Sequence, residues 1–309
     1  MPLCIQFPVN FDVKESYTNK VMGKDTNFSS FTVNLRGKIT QFDRPVIMGI
    51  LNISQDSFYD GGRHSDHTAM LQHAHALVEA GADIVDLGAV STRPGAILPA
   101  EETEADMLAN AVRSLRNELP DTPISVDTSR SLPARRSIEA GADIINDISG
   151  GLFDPQLFET VAQLQVPYVL SHNRTTPDRM MAETHYDDLM EEIVQFLSKQ
   201  LDQLYTLGVK DVWIDPGFGF AKTKEQNYTL MANLDELSNL FREPLLVGIS
   251  RKSMIYKTLG CTPDEALNGT TVLNTIALMK GAQILRVHDP KEAREAIQIT
   301  SLVIGNKTN

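Results

Sequence analysis

The chain has 309 residues, 42% hydrophobic and 22% charged, the size and composition of one large α/β domain or two small ones. Its net charge of −12 argues against nucleic acid or an anionic membrane as partner, so an anionic ligand would need a local cluster of cations. The two cysteines, Cys4 and Cys261, make neither a disulfide framework nor a metal-ligand pattern, and they suit a reducing compartment.

From the start, MPLCIQFPVNFDVKESY lacks a charged segment followed by a long apolar one, so no signal peptide is expected. No apolar run approaches the ~20 residues that span a bilayer. The expectation is a cytoplasmic protein with no membrane partner. Residues 1–31 read as an N-terminal extension without repeats, and 32–309 as the folded domain.

Short apolar, β-branched runs then recur: PVIMGIL (45–51), ADIVDLG (82–88), PISVDT (123–128), ADIINDI (142–148), VPYVLSH (166–172), VKDVWID (209–215), PLLVGIS (244–250) and AQILRVH (282–288). Each is close to continuously apolar, as parallel strands covered on both faces should be. Helical periodicity lies between them. Over 65–80, Met70, Ala74, Leu77 and Val78 share a face and Gly81 follows; another helix begins at Ser131 with Pro133 in its first turn. Over 187–207, Leu189, Ile193, Phe196, Leu197, Leu201 and Leu204 form one stripe, ended by Gly208. EAGADIVDLG (79–88) and EAGADIINDI (139–148) echo each other, with KGAQILRVH (280–288) a weaker third copy.

Eight strand–helix units in about 250 residues predict a single-domain α/β fold, a (β/α)8 TIM barrel. The rival, a doubly wound open sheet, lacks the GxGxxG fingerprint expected after its first strand.

Barrel chemistry sits at the C-terminal ends of the strands. Those positions are Asn52, Asp86, Asp127, Asn146 with Asp147, His172, Asp215, Ser250 with Arg251 and Lys252, and Arg286 with His288. Any one could be structural: a lone Asp can cap the next helix, and a lone Lys can simply have reached solvent. Together they divide by type. Asp127, Asn146 and Asp215 suit the hydrogen-bonding edge of a planar heterocycle. Arg286, His288, Arg93 and Asn52 suit phosphate oxygens. The loops NISQDSFYDGG (52–62) and STRPGA (91–96) have the look of mobile lids. His64, His67, His73 and His75 resemble a metal cluster, but His73 and His75 are two apart on a helix and face different ways, so they are taken as surface.

The ordered motifs IMGILNISQDSFYDGG, DLGAVSTRPGA, ISVDTSR, GADIINDISGG, WIDPGFGFAKT, LLVGISRKSM and ILRVHDP resemble those of the dihydropteroate synthase family, from about residue 32 to 300. The resemblance implies a transferase of folate biosynthesis. It would join 6-hydroxymethyl-7,8-dihydropterin diphosphate to p-aminobenzoate with Mg2+, on a TIM barrel that forms a homodimer through helices remote from the mouth. By motif position, Asp127, Asn146, Asp215 and Lys252 should hold the pterin. Phe58, Thr92, Pro94, Phe220 and Ser250 should line the p-aminobenzoate pocket. Asn52, Thr92, Arg93, Arg286 and His288 should take the diphosphate, Asn52 through the metal. Asp86, Lys252, Arg286 and His288 are the implied catalytic residues, with Asp86 stabilising a developing pterin cation. Sulfonamides, as analogues of p-aminobenzoate, should compete with it.

The chain departs from the family pattern at Ser54-Gln55, where Thr-Pro is usual, and at Val90, where Glu is usual. It departs again at SHNRTTPDRM (171–180), where Met-His-Met is common and Ser171 replaces an apolar contact on the pterin. Two other functions are compatible with such a barrel. One is a pterin-binding paralogue without turnover. The other is a methyltetrahydrofolate-type methyltransferase, against which Arg93, Arg286 and His288 speak.

Overall fold

The computed structural model describes residues 28–53, 64–88, 99–176, 179 and 182–306. It opens with an antiparallel hairpin, β1 (Phe31–Leu35) and β2 (Lys38–Phe42). Arg36 and Gly37 make its turn, both at positive φ (49° and 80°), the conformation a two-residue hairpin loop demands. The alternation in FTVNL buries Val33 and Leu35 on one face. This hairpin was not among the predicted elements.

Eight parallel strands follow: β3 (Val46–Asn52), β4 (Ile84–Gly88), β5 (Ile124–Asp127), β6 (Ile144–Asp147), β7 (Tyr168–Ser171), β8 (Val212–Asp215), β9 (Leu246–Val247) and β10 (Ile284–Val287). They lie in the order β8-β7-β6-β5-β4-β3-β10-β9. A single bridge, Ile214 to Leu245, joins β8 to the chain entering β9, with the Ile214 N–H donating to Pro244 O at 2.9 Å. The sheet thus closes on itself, and the predicted TIM barrel is the observed fold.

Helices cover the outside: α1 (His64–Glu79), α2 (Glu101–Glu118), α3 (Ser131–Glu139), α4 (Leu157–Leu164), α5 (Leu189–Thr206), α6 (Lys224–Ala232), α7 (Leu234–Leu240), α8 (Ser253–Leu259), α9 (Leu267–Met279) and α10 (Pro290–Gly305). The predicted stripe on α5 is the packed face: Ile193, Leu197, Leu201 and Leu204 are buried, with Leu189 and Phe196 packed beside them. Met70, Ala74 and Leu77 do the same for α1.

The internal echo has a physical cause. Gly81, Gly141 and Gly281 end helices at φ 104°, 112° and 95°, values that only glycine adopts freely. The Asp two residues on then caps the neighbouring strand: Asp83 accepts from the Ile47 N–H at 2.8 Å and Asp143 from the Ile124 N–H at 2.7 Å. Arg44 and Arg294 engage Asp83, and Arg116 engages Asp143. In the third copy Gln283 replaces the Asp and donates instead to Ser29 O.

Two apolar clusters make the core. The larger lies between strands and helices. The smaller fills the barrel: Val46, Met48, Ile84, Ile144, Val169, Trp213, Leu246 and Ile284, sealed from below by Val33 and Leu35 of the hairpin. Only the opposite, C-terminal mouth is left for polar groups.

Candidate active site

Side chains alternate along a strand, so the residue two beyond each member of the inner cluster also points inward, one layer higher. From Ile84, Ile144, Val169, Trp213, Leu246 and Ile284 that rule reaches Asp86, Asn146, Ser171, Asp215, Gly248 and Arg286. Asp127 joins them as the register partner of Asn146, and Ser171 pairs with Asp215. The barrel thus lifts a ring of polar groups onto an apolar floor.

Arg286 organises the ring. Its Nε donates to Asp86 Oδ2 and its Nη2 to Asp127 Oδ2, both at 2.6 Å. Asn146 Nδ2 donates to the same Asp86 oxygen at 3.1 Å, while Asp86 Oδ1 is buried with no hydrogen-bond partner. Gly88 makes room above: a Cβ there would lie 3.6 Å from both Asn52 Oδ1 and Asp127 Cβ, so those two side chains close over the backbone. Burial pushes the Asp127 carboxyl up to about 7, against the pull of Arg286. Burial also raises Asp215, which Lys252 opposes. The Gly217 N–H donates to Asp215 Oδ1 at 2.8 Å.

Lys252 reaches this ring from the loop after β9. Its Nζ donates to Phe218 O at 2.5 Å and lies 4.3 Å from the centre of the Phe220 ring. Burial lowers its pKa to about 8, with Asp215 holding it up. Its neighbour faces elsewhere. Arg251 adopts φ 56°, and its guanidinium grips Asp289 through two bonds, at 3.0 and 2.6 Å. That kink turns Ser250 and Lys252 toward the mouth and ties the loop to the N-terminus of α10. Ser250 accepts from the His288 N–H at 3.2 Å and lies 3.0 Å from His288 Nδ1. Burial, reinforced by Arg286 and Arg251, pushes His288 down to about 4, so it is neutral near pH 7.

The structure adds two details to the sequence grouping. Arg286, assigned with the anion-binding cations, sits between two of the acidic groups. His288, assigned with them as mostly cationic, is an uncharged imidazole. Asn52, Asp86, Asp127, Asn146, Asp215, Phe220, Ser250, Lys252, Arg286 and His288 all come to one mouth. Phe58, Thr92, Arg93 and Pro94 lie outside the described residues, as do Ser54, Gln55 and Val90. Asp147 points away from the mouth. It accepts from Ser129 Oγ, Ser149, Gly151 N and the Tyr168 hydroxyl, which organises the loop after β6. Of the helix α1 histidines, His67 bonds Ser114 Oγ at 2.8 Å and His75 lies 3.7 Å from Glu118.

Sequence reasoning missed Lys222. It is 5% exposed, and its Nζ lies within hydrogen-bond distance of Gly217 O, Phe220 O and His172 Nδ1. The available signal was a lysine straight after an apolar Phe-Gly-Phe-Ala run, two residues before a helix that starts with its own lysine, Lys224.

A model of the pterin binding enzyme family matches residues 48–288. Dihydropteroate synthase from Synechocystis is 44% identical over 256 residues, 81% of this chain and 88% of that protein. Its Escherichia coli counterpart is 39% identical over 276 residues, 89% and 97% respectively. The chain belongs to the dihydropteroate synthase family. A crystal structure of the Yersinia pestis dihydropteroate synthase, in a sulfonamide drug complex, superposes with a TM-score of 0.81 at 40% identity, covering 88% of this chain and 99% of that one. Within this dihydropteroate synthase barrel, the described mouth offers an acidic and amide edge for a flat heterocycle. It also offers one lysine beside an aromatic ring and a guanidinium already locked in place.

Proposed function

We propose that this chain condenses 6-hydroxymethyl-7,8-dihydropterin diphosphate with p-aminobenzoate, giving 7,8-dihydropteroate and diphosphate. The observation that carries the reading is the inward ring of Asp86, Asp127, Asn146, Asp215 and Arg286, with Lys252 and Ser250 at its rim, on a chain of this family.

In this reading Asp127, Asn146 and Asp215 take the hydrogen-bonding edge of the pterin, and the Lys252 ammonium faces its carbonyl and N5. Asp127, with its pKa near 7, can offer an acceptor or a donor as the edge requires. Departure of diphosphate leaves a methylene cation conjugated with the ring. Asp86 lies under that position with one unpartnered oxygen, and fixed negative charge in a dry site favours such a cation. The amine of p-aminobenzoate is already uncharged near pH 7, so its lone pair attacks without a strong base. Phe220, Ser250, Phe58, Thr92 and Pro94 would position it. Positioning and charge stabilisation carry the reaction, with no covalent protein intermediate.

Asn52, Thr92, Arg93, Arg286 and His288 would receive the diphosphate, His288 as a neutral donor. Mg2+ takes oxygen donors and commonly arrives with phosphates on one or two protein ligands. Asn52 Oδ1, exposed beside Gly88 at the mouth, fits that role, whereas no group of three His, Cys, Asp or Glu able to hold a metal occurs among the described residues. Bound there, the metal would neutralise charge on the leaving group.

A homodimer fits an apolar strip on the outer helices. Val272, Ile276 and Met279 on α9 and Ile299, Leu302 and Val303 on α10 are all exposed, at helical spacing on two packed helices. No helix among the described residues is long and apolar enough to cross a membrane, which is compatible with the cytoplasmic location proposed here.

The test is diphosphate release by purified protein given the pterin diphosphate and Mg2+, with and without p-aminobenzoate. Release that requires p-aminobenzoate, yields dihydropteroate and yields to sulfonamides in competition with p-aminobenzoate is the expected result. Pterin binding without release would instead identify a binding paralogue.

A further inference from the structure

The segment between β8 and α6, PGFGFAK (216–222), doubles back on itself through two left-handed glycines, Gly217 and Gly219 (φ 74° and 80°). Its shape is heavily determined. A Cβ on Gly217 would lie 1.9 Å from His172 O. The Phe220 N–H returns to Gly217 O at 3.1 Å, and the Gly219 N–H donates to Asn227 Oδ1 at 2.7 Å. Lys222 closes the arrangement from below. Its Nζ lies 2.9 Å from Gly217 O, 3.2 Å from Phe220 O and 2.9 Å from His172 Nδ1. An ammonium has three N–H donors and no acceptor, so these contacts saturate it and leave His172 accepting at Nδ1.

What the loop presents above is a pair of groups on Lys252: the Phe218 carbonyl and the Phe220 ring. Of the pterin-edge groups, Asp127 and Asn146 stand on strands away from the loop, and Asp215, itself on β8, meets it through the Gly217 N–H, not through the carbonyls that Lys222 holds. We propose that Lys222 is a positioning residue for the aromatic amine: by holding the carbonyls of Gly217 and Phe220, it fixes the Phe220 wall and so governs affinity for p-aminobenzoate far more than for the pterin. The inference rests on the assignment of Phe220 to the p-aminobenzoate pocket.

The charges around Lys222 make its effect pH-dependent. Burial lowers it to about 7; Asp215 holds it up, while Lys252 and Arg174 push it down. His172, its contact just after β7, is itself driven well below the usual range by burial and by Lys222 and Arg174, so it stays neutral. Above about pH 7 the amine keeps two N–H donors for three acceptors, and the loop loses a tether. p-Aminobenzoate does not titrate in this range.

The test uses the full chain and measures p-aminobenzoate binding by calorimetry to protein loaded with pterin and diphosphate, alongside pterin binding to the free protein. Because binding is read directly, the result stands whether or not the protein turns over. Lys222→Met should weaken p-aminobenzoate by about tenfold or more while pterin affinity changes less than about threefold, a split that general destabilisation does not produce. In wild type, p-aminobenzoate affinity should fall between about pH 6 and about pH 8, and Lys222→Gln should flatten that fall. Equal weakening of both ligands, or unaltered p-aminobenzoate affinity, overturns the proposal. Should the methionine variant not fold, a flat wild-type profile across that range overturns it equally.

Discussion

Replacing Lys252 with methionine keeps the length of the side chain and removes its charge. Burial lowers Lys252 from its ordinary 10.5 to about 8. That difference of roughly 2.5 pH units corresponds to about 3 kcal/mol by which the folded state disfavours the ammonium at neutral pH. Because the folded value is depressed, the penalty is present in full below about pH 8 and fades as the pH climbs toward the free-lysine value. Lys252→Met removes the penalty, and loses the bond to Phe218 O and the contact with the Phe220 ring, each worth about 1 kcal/mol. Urea denaturation at neutral pH should therefore place the variant within about 2 kcal/mol of wild type. Ligand binding is different. A charge-assisted hydrogen bond to the pterin contributes about 1.5–3 kcal/mol, so calorimetry should show pterin affinity falling between about tenfold and about 150-fold. Turnover should fall at least as far. In wild type, pterin affinity should also decline above about pH 8 as the ammonium is lost, and the variant should lack that limb. Pterin affinity unchanged in Lys252→Met would remove this lysine from the pterin site. A loss of several kcal/mol of stability would make it a structural residue.

Arg286→Lys cannot bridge Asp86 and Asp127 as the guanidinium does, which leaves a buried carboxylate unpaired and should cost about 3–5 kcal/mol near neutral pH. Asp127 is already raised, and without the guanidinium its folded value rises further. The deficit should therefore grow toward alkaline pH and shrink toward pH 5, as thermal melts across that range would show. Gly217→Ala drives a methyl group into the His172 carbonyl at a left-handed position; we expect more than about 2 kcal/mol lost in urea denaturation, together with p-aminobenzoate binding. If the proposed homodimer forms through the exposed strip on α9, Ile276→Glu should halve the mass seen by light scattering while each protomer keeps its fold by circular dichroism; an unaltered mass would overturn the proposed contact.

The barrel was legible because its strands are apolar on both faces and alternate with helical stretches eight times, the pattern of a parallel sheet covered by helices. Even the echo of EAGAD had a structural reason, a left-handed glycine followed by a carboxylate that caps the adjacent strand. The hairpin was missed although FTVNL alternates cleanly, since attention to continuous runs passes over a strand with one wet face. At the mouth, position along each strand named Asp86, Asp127, Asn146, Asp215 and Arg286, but pairing is a three-dimensional property. Asp86 and Arg286 are 200 residues apart, and nothing local tells that they share a 2.6 Å bond. In Arg251-Lys252 two adjacent cations do opposite jobs, decided by one left-handed φ. Lys222 was hidden for the complementary reason. A lysine near a helix start reads as solvated surface, and only the fold reveals three acceptors converging on it.

The barrel is not equally sewn all round. Most neighbouring strands share registers of three to five residue pairs, whereas β9 contributes two residues and meets β8 through one bridge. That seam runs up to Asp215 on one side and to Ser250 and Lys252 on the other. Amides along it should exchange with solvent ahead of those in β4 to β6, because opening there breaks the fewest rungs. A ligand gripped at once by Asp215 and Lys252 would supply the rung that the backbone omits. Substrate would then act as a clasp on the fold, and its departure would return the barrel to its loosest edge.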